Sequence, residues 1–176
     1  LLRAEVATER NIRDVYRHYE AQHLSKAGEL FARANCHPEV EIEAIGVWDT
    51  VKSLGLNAPP FWRFSQPLHM FHNHDLSRNV KNGFQALALN ETRVAYAPVL
   101  WTTPEGYDGR LEQVWFPGTH GDVGGQLGGH EAARPLANIP LVWLLSRMED
   151  SGLPLPAGWA TRFDQDPAAP SIGRWR

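Results

Sequence analysis

An α/β fold, with a mostly parallel sheet flanked by helices, is predicted by three features of the sequence. Residues 44–48 are continuously apolar, which is typical of a strand buried on both faces of a parallel sheet. Residues 111–116 form a second candidate buried strand. Segments with helical spacing of apolar residues lie before, between and after these strands, and such alternation is typical of α/β domains.

Two of the predicted helices lie in the first half of the chain. Apolar residues recur at spacings of three and four over residues 9–34, with Thr8 as a candidate N-cap and a break near Gly28. The string 77–91 also places its apolar residues at helical spacing. We expect this second helix to be structural.

A third helix is predicted over residues 139–150. Asn138 is its candidate N-cap, and Pro140 falls in the first turn, where a missing N–H costs nothing. Gly152 follows the last apolar residues and ends the helix. Residues 1–150 are therefore assigned to the core of a single domain that covers 1–176, and the Pro-rich tail 151–176 is expected to run over the surface.

The remaining segments are assigned by residue type. Residues 93–101 are predicted to form a strand that Pro98 places at an edge or ends early. Trp48 and Trp115 precede polar segments at the ends of the two buried strands, and we assign both to the core. The lone cysteine, Cys36, excludes an internal disulfide and a cysteine-based zinc site.

The composition excludes several classes of function. The formal net charge is −3 and no Lys/Arg block occurs, so a nucleic-acid partner is not expected. No run of about 18 apolar residues is present, so no transmembrane segment is predicted. No motif points to a cofactor.

Each buried strand is followed by a chemically active side chain. Asp49 follows the first strand directly, and His120 lies four positions after Phe116. In open α/β sheets, sites lie beyond the carboxyl ends of the strands. A carboxylate that accepts the Nδ1–H of a histidine, which in turn takes a proton from a nucleophile, is the acid–base part of a catalytic triad. Asp49 and His120 are therefore the candidate catalytic residues.

A glycine-rich segment surrounds the histidine. Gly118, Gly121, Gly124 and Gly125 permit positive φ and a close approach of the backbone to a substrate. We expect them to organise a mobile loop near the site. The alternative is a purely structural glycine-rich turn that carries a loop histidine without a catalytic role.

Asp122 is a second carboxylate close to the histidine in the sequence. It could be the partner of His120 or bind a cation with loop carbonyls. We favour Asp49 as the partner because it stands at a strand end. Asp122 is expected to organise the loop by accepting backbone N–H groups.

Three motifs, residues 45–55 (I-G-V-W-D-T-V-K-S-L-G), 84–93 (F-Q-A-L-A-L-N-E-T-R) and 113–125 (Q-V-W-F-P-G-T-H-G-D-V-G-G), occur in this order. Together they resemble an α/β-hydrolase family of bacteria and fungi that includes type VI secretion phospholipase effectors of the GxSxG type. The resemblance covers roughly residues 1–150. It implies a serine hydrolase acting on a lipid or another ester, with Asp49 as the acid and His120 as the histidine.

The chain departs from this family in lacking the nucleophile elbow. No G-x-S-x-G occurs among its seven serines, which are Ser25, Ser53, Ser65, Ser77, Ser146, Ser151 and Ser171. Family members often read H-A-L-A-L-D-E where this chain has Gln85 and Asn90, so no catalytic role is transferred to that segment. The chain therefore resembles the C-terminal part of such a domain, with its nucleophile expected upstream of Leu1. We expect it to be inactive alone.

The irregular segment 57–76 supports two further hypotheses. His69, His72 and His74, with Asp75, form an alternative metal site of another enzyme class. The aromatic residues of the same segment are candidates for an apolar substrate pocket, a lid or a membrane contact, and they are Trp62, Phe64 and Phe71.

The resemblance also carries expectations about partners and location. A lipid or other ester is the expected substrate, with peripheral membrane contact. A degenerate, non-catalytic binding module is the alternative function. An immunity or secretion protein is the other partner considered. The protein is expected to be soluble and cytoplasmic in the producing cell, with export as an effector into a target cell.

Overall fold

The computed structural model describes residues 6–7, 12–20, 26–37, 40–51 and 75–173. The strands within these residues are β1 (Val6–Ala7), β2 (Cys36–His37), β3 (Ile42–Trp48), β4 (Val80–Ala88) and β5 (Arg110–Phe116). The α-helices are α1 (Ile12–Glu20), α2 (Lys26–Asn35), α3 (His120–Gly124) and α4 (Arg134–Asp150). Short 3-10 turns lie at Val94–Tyr96, Glu131–Ala133 and Trp159–Arg162.

A parallel sheet with the spatial order β3-β4-β5 is the centre of the fold. Because the strands are parallel, their carboxyl ends meet at one edge. Helix α4 packs against β3 and β4, and β1 pairs with β2 in a separate antiparallel ladder. The predicted α/β fold, with a parallel sheet flanked by helices, is confirmed. None of the described helices is both long and apolar enough to cross a bilayer.

The helix predicted over residues 77–91 is wrong, because the structure has the central strand β4 there. Phe84 and Leu87 are both completely buried, although they point to opposite faces of the sheet. A strand covered on both faces is apolar at nearly every position, so its apolar residues also fall at helical spacings. A Cβ on Gly83 would lie 2.7 Å from the side chain of Leu76, so the backbone of the strand packs closely against Leu76.

Helix α4 begins earlier than the predicted start at residue 139. Its first residue is Arg134, so Asn138 and Pro140 lie inside the helix rather than at its start. The buried amide of Asn138 does not cap the helix but donates to the backbone carbonyl of Asp164 in the tail, at 2.8 Å. The predicted end of the helix is correct, since α4 stops at Asp150 and Gly152 has a φ of +98°.

The helical segment predicted over residues 9–34 contains two helices, α1 and α2, and Gly28 lies in the first turn of α2. Two further predictions from local pattern are wrong. Residues 93–101 do not form a strand: 94–96 form a 3-10 turn, and Pro98 makes only an isolated bridge to Val51. Trp48 and Trp115 do not belong to the core, since they are 38% and 46% exposed. The predicted cap Thr8 lies outside the described residues.

The tail returns to the body of the domain. Trp159 is buried, and its indole N–H donates to the carboxylate of Glu149 at 3.0 Å. Further along, Ser171 and Ile172 reach the segment that carries α3. Within residues 151–173 the tail therefore packs back onto the domain, and Ser171 and Ile172 contact the neighbourhood of His120.

Candidate active site

Asp49 directly follows the last residue of β3, and the end of that strand sets its position. Its backbone N–H continues the ladder by donating to the carbonyl of Ala86 at 2.7 Å, and its φ of 41° then turns the chain away from the strand. Few residues other than glycine adopt this left-handed conformation, but aspartate is among those that do so most often. The side chain is buried, and Oδ1 accepts the N–H of Ala88 at 2.8 Å. The carboxylate is thus held over the end of the central strand.

His120 is the first residue of α3, which follows β5 after a short loop. That loop is tied to the segment after β4 by a reciprocal pair of bonds. Gly118 donates its N–H to Asn90 Oδ1 at 2.8 Å, and the N–H of Asn90 donates to the carbonyl of Gly118 at 2.9 Å. The backbone just before the histidine is therefore hydrogen-bonded to the segment that follows β4.

The structure brings Asp49 and His120 together. Asp49 Oδ2 lies 2.8 Å from His120 Nδ1, although the two residues are 71 positions apart. The aspartate side chain is 0% exposed and the imidazole is 30% exposed. When the carboxylate is ionised it can only accept, so Nδ1 is then the donor, and in the neutral imidazole Nε2 is the acceptor. Nε2 has no hydrogen bond to any residue in the described part of the chain.

Asp122 is not the partner of the imidazole. Its buried carboxylate accepts four hydrogen bonds, from the N–H and hydroxyl of Thr119, the hydroxyl of Ser171 and the N–H of Ile172. Burial alone raises the pKa of Asp122, but these donors together outweigh it and lower the pKa below the ordinary value. Asp122 therefore joins the start of α3 to the tail.

The four glycines near the histidine differ in what they do. Gly118 has a φ of +112°, and a Cβ there would lie 2.6 Å from the Cβ of Asp122. Gly125 has a φ of +75° and ends α3. Gly121 packs closely against the tail, whereas a Cβ on Gly124 would meet no atom within 4 Å. The segment is therefore a short helix with glycine-dependent ends, rather than the loop that was expected.

Sequence reasoning missed a group of residues that follows β4. Glu91 Oε2 accepts the backbone N–H of His120 at 3.2 Å, and the ring of Tyr96 lies 4.9 Å from the imidazole ring. Arg93 pairs with Glu91 and lowers the pKa of that carboxyl to about 2. The signal was available: once 80–88 is taken as a central strand, N-E-T-R lies at the same sheet edge as Asp49.

The other candidate residues cannot be placed. Trp62, Phe64 and Phe71, as well as His69, His72 and His74, lie in segment 52–74, outside the described residues. Among the residues that the structure does describe, no group of three or more His, Cys, Asp or Glu side chains could hold a metal ion.

The fold and the site together define an α/β protein with a carboxylate–imidazole pair at the carboxyl edge of a parallel sheet. The family model described as "T6SS, Phospholipase effector Tle1-like, catalytic domain" matches residues 4–147. The chain therefore belongs to this family of type VI secretion phospholipase effectors, which confirms the relationship predicted from the three motifs. No curated protein and no solved structure matches the chain significantly. Family membership supports a lipase- or phospholipase-type function.

Proposed function

We propose that the chain supplies the acid and the histidine of a serine hydrolase that cleaves an ester bond of a phospholipid. One observation carries this proposal: the hydrogen bond between the buried Asp49 carboxylate and His120 Nδ1, at 2.8 Å. Family membership supports the substrate class. The pair has the arrangement that a triad requires, with the imidazole oriented by a buried acid and its second nitrogen open to a nucleophile.

In the proposed reaction, His120 Nε2 takes the proton of a serine hydroxyl while the oxygen attacks the ester carbonyl carbon. The imidazolium that forms is stabilised by the charge of Asp49. It then returns the proton to the leaving alcohol as the acyl–oxygen bond breaks. A water molecule, activated by the same nitrogen, hydrolyses the acyl-serine and restores the free hydroxyl.

The nucleophile in this proposal lies outside residues 1–176. None of the seven serines stands in a G-x-S-x-G sequence. Ser171, which lies near the site, donates its hydroxyl at 2.6 Å to Asp122, and not to the imidazole. We therefore expect the 176-residue chain alone to be inactive.

The test uses the intact protein that carries residues 1–176, with dipalmitoyl phosphatidylcholine vesicles as substrate and a fluorophosphonate probe for an activated serine. We expect fatty acid release and probe labelling in the wild type and the loss of both in His120→Ala. His130→Ala is the matched control, since this histidine is exposed and the imidazole that contacts Asp49 is that of His120. Retained labelling in His120→Ala would contradict the proposal.

A non-catalytic binding module is the competing function, and the missing G-x-S-x-G is the observation that favours it. An intact protein that binds the vesicles but neither releases fatty acid nor reacts with the probe would establish this alternative. Conversely, if the isolated 176-residue chain hydrolyses a p-nitrophenyl ester, and His120→Ala abolishes that rate, the nucleophile lies within the chain.

Family membership also supports export through a type VI secretion system, with an immunity partner that protects the producing cell. We propose both on this basis. Loss of the protein from the culture medium when the secretion apparatus is disabled would support export. Its continued release would contradict it.

A further inference from the structure

Residues in the segment after β4 make a second set of contacts with His120. These contacts involve its backbone N–H and its ring as a whole, and neither ring nitrogen forms a hydrogen bond in them. Glu91 is the first member. Its side chain is only 2% exposed, and Oε2 accepts the backbone N–H of His120 at 3.2 Å. The first N–H groups of a helix have no partner within the helix, and the Glu91 carboxylate supplies one for the first residue of α3.

Arg93 is the second member and holds the carboxylate of Glu91 on both oxygens. Its Nε donates to Oε1 at 2.8 Å and its Nη2 donates to Oε2 at 2.7 Å, and its backbone N–H also donates to Oε1. A bidentate guanidinium–carboxylate pair has a defined plane and direction. Glu91 is therefore held in one orientation toward the histidine.

Tyr96 connects the same guanidinium to the imidazole ring. The Cζ of Arg93 lies 3.9 Å from the centre of the Tyr96 ring, within the range of a cation–π contact. The centre of the Tyr96 ring in turn lies 4.9 Å from the centre of the His120 ring, and the two ring planes are inclined at 54°. Arg93 thus reaches the histidine by two routes, through Glu91 to its backbone and through Tyr96 to its ring.

We infer that Glu91, Arg93 and Tyr96 are positioning residues that hold the backbone and ring of His120 so that Nδ1 faces Asp49 and Nε2 stays open to the nucleophile. The inference rests on the proposed function for its effect on catalysis. A single hydrogen bond to Nδ1 leaves the ring free to tilt about that bond. The neighbouring Tyr96 ring and the hydrogen-bonded backbone restrict this freedom, and small misplacements of a catalytic group lower the rate strongly.

The chain offers a matched control for Arg93. Arg110 also pairs with a glutamate two positions away, Glu112, and lies over an aromatic ring, that of Phe84, at 5.4 Å. The two arginines have similar side-chain exposure, 55% and 44%. Arg110 stands at the start of β5, at the opposite edge of the sheet from His120, so its replacement should leave the site intact.

The experiment compares Arg93→Met with Arg110→Met in the intact protein, by kcat and KM for p-nitrophenyl butyrate and by ¹⁵N–¹H NMR of the His120 imidazole. For Arg93→Met we expect kcat to fall by about 10- to 100-fold with KM nearly unchanged. We also expect the imidazole signals to change from one Nδ1–H tautomer to a mixture. Arg110→Met should resemble the wild type in both measurements.

Conservative variants separate positioning from folding. Tyr96→Phe keeps the ring and should retain wild-type kcat, whereas Tyr96→Leu should lose it at an unchanged melting temperature. If Arg93→Met does not fold, this pair decides the question. Wild-type imidazole signals in Arg93→Met or in Tyr96→Leu would overturn the inference. If the wild type hydrolyses neither this ester nor the phosphatidylcholine vesicles and does not react with the fluorophosphonate probe, the proposed function fails, and the NMR comparison still tests positioning.

Discussion

Asp49 binds the ends of two different segments with the two oxygens of one carboxylate: Oδ1 accepts the N–H of Ala88, and Oδ2 lies 2.8 Å from His120 Nδ1. The acid is thus anchored to the central strand while it orients the imidazole. Because both oxygens are used, a replacement that keeps the shape of the side chain but changes its hydrogen-bonding character is the sharpest test of the pair.

Asp49→Asn should preserve the fold and abolish most of the activity. Asparagine also tolerates the positive φ of this position, and its carbonyl oxygen can still accept from Ala88. Its NH₂ group would then face Nδ1 and favour the wrong tautomer. We expect kcat of the intact protein to fall by about four orders of magnitude with an unchanged melting temperature. Asp108→Asn, at an exposed position, is the control, and a kcat similar to the wild type in Asp49→Asn would contradict the proposed role.

Gly118→Ala should destabilise the chain, whereas Gly124→Ala should not, although the two glycines are only six positions apart. At Gly118 the φ of +112° is unfavourable for alanine, and its Cβ would lie 2.6 Å from the Cβ of Asp122. We expect a loss of about 1–3 kcal/mol in the free energy of unfolding. A Cβ at Gly124 would contact nothing within 4 Å beyond its own helix backbone and chain neighbours, so alanine should be neutral or stabilise α3 by up to about 1 kcal/mol. Urea denaturation measures both, and equal effects would be evidence against the described backbone.

The bonds that Asp122 accepts should make stability depend on pH in a defined direction. Its folded pKa is lowered, so its contribution is complete above the unfolded pKa of about 3.9 and is lost as the pH falls through the lower folded value. Asp122→Asn should therefore destabilise the chain more at pH 7 than at acidic pH. Unfolding in urea at pH 7 and at a pH below the unfolded pKa of Asp122 tests this, with Asp108→Asn as the control. A difference that grows on acidification would have the wrong sign.

Gly83→Ala distinguishes the observed strand from the helix that the sequence pattern predicted. In β4 the new Cβ would lie 2.7 Å from Cδ2 of the buried Leu76, so we expect a destabilisation of about 1–3 kcal/mol. In a helix, alanine in place of glycine would stabilise by up to about 1 kcal/mol. The free energy of unfolding in urea decides by its sign. Lys81→Ala, at an exposed position of the same strand, should have little effect.

The sequence by itself determined the fold class and the two side chains of the central pair. The apolar segments before Asp49 and His120 were long enough to identify strands, and parallel strands place their carboxyl ends at one edge. The relationship to the phospholipase effector family was likewise carried by three short motifs. These features depend on local pattern or on a general rule of sheet geometry, so they are readable without coordinates.

Only the tertiary structure decided the identity of β4 and the surroundings of the histidine. A strand covered on both faces and a buried helix share the same apolar pattern, so residues 80–88 were ambiguous until their neighbours were known. The contacts of Glu91 and Tyr96 with His120, and of Asp122 with Ser171, join segments that are distant in the chain. Such contacts arise from packing between elements, and no local spacing of residue types records them.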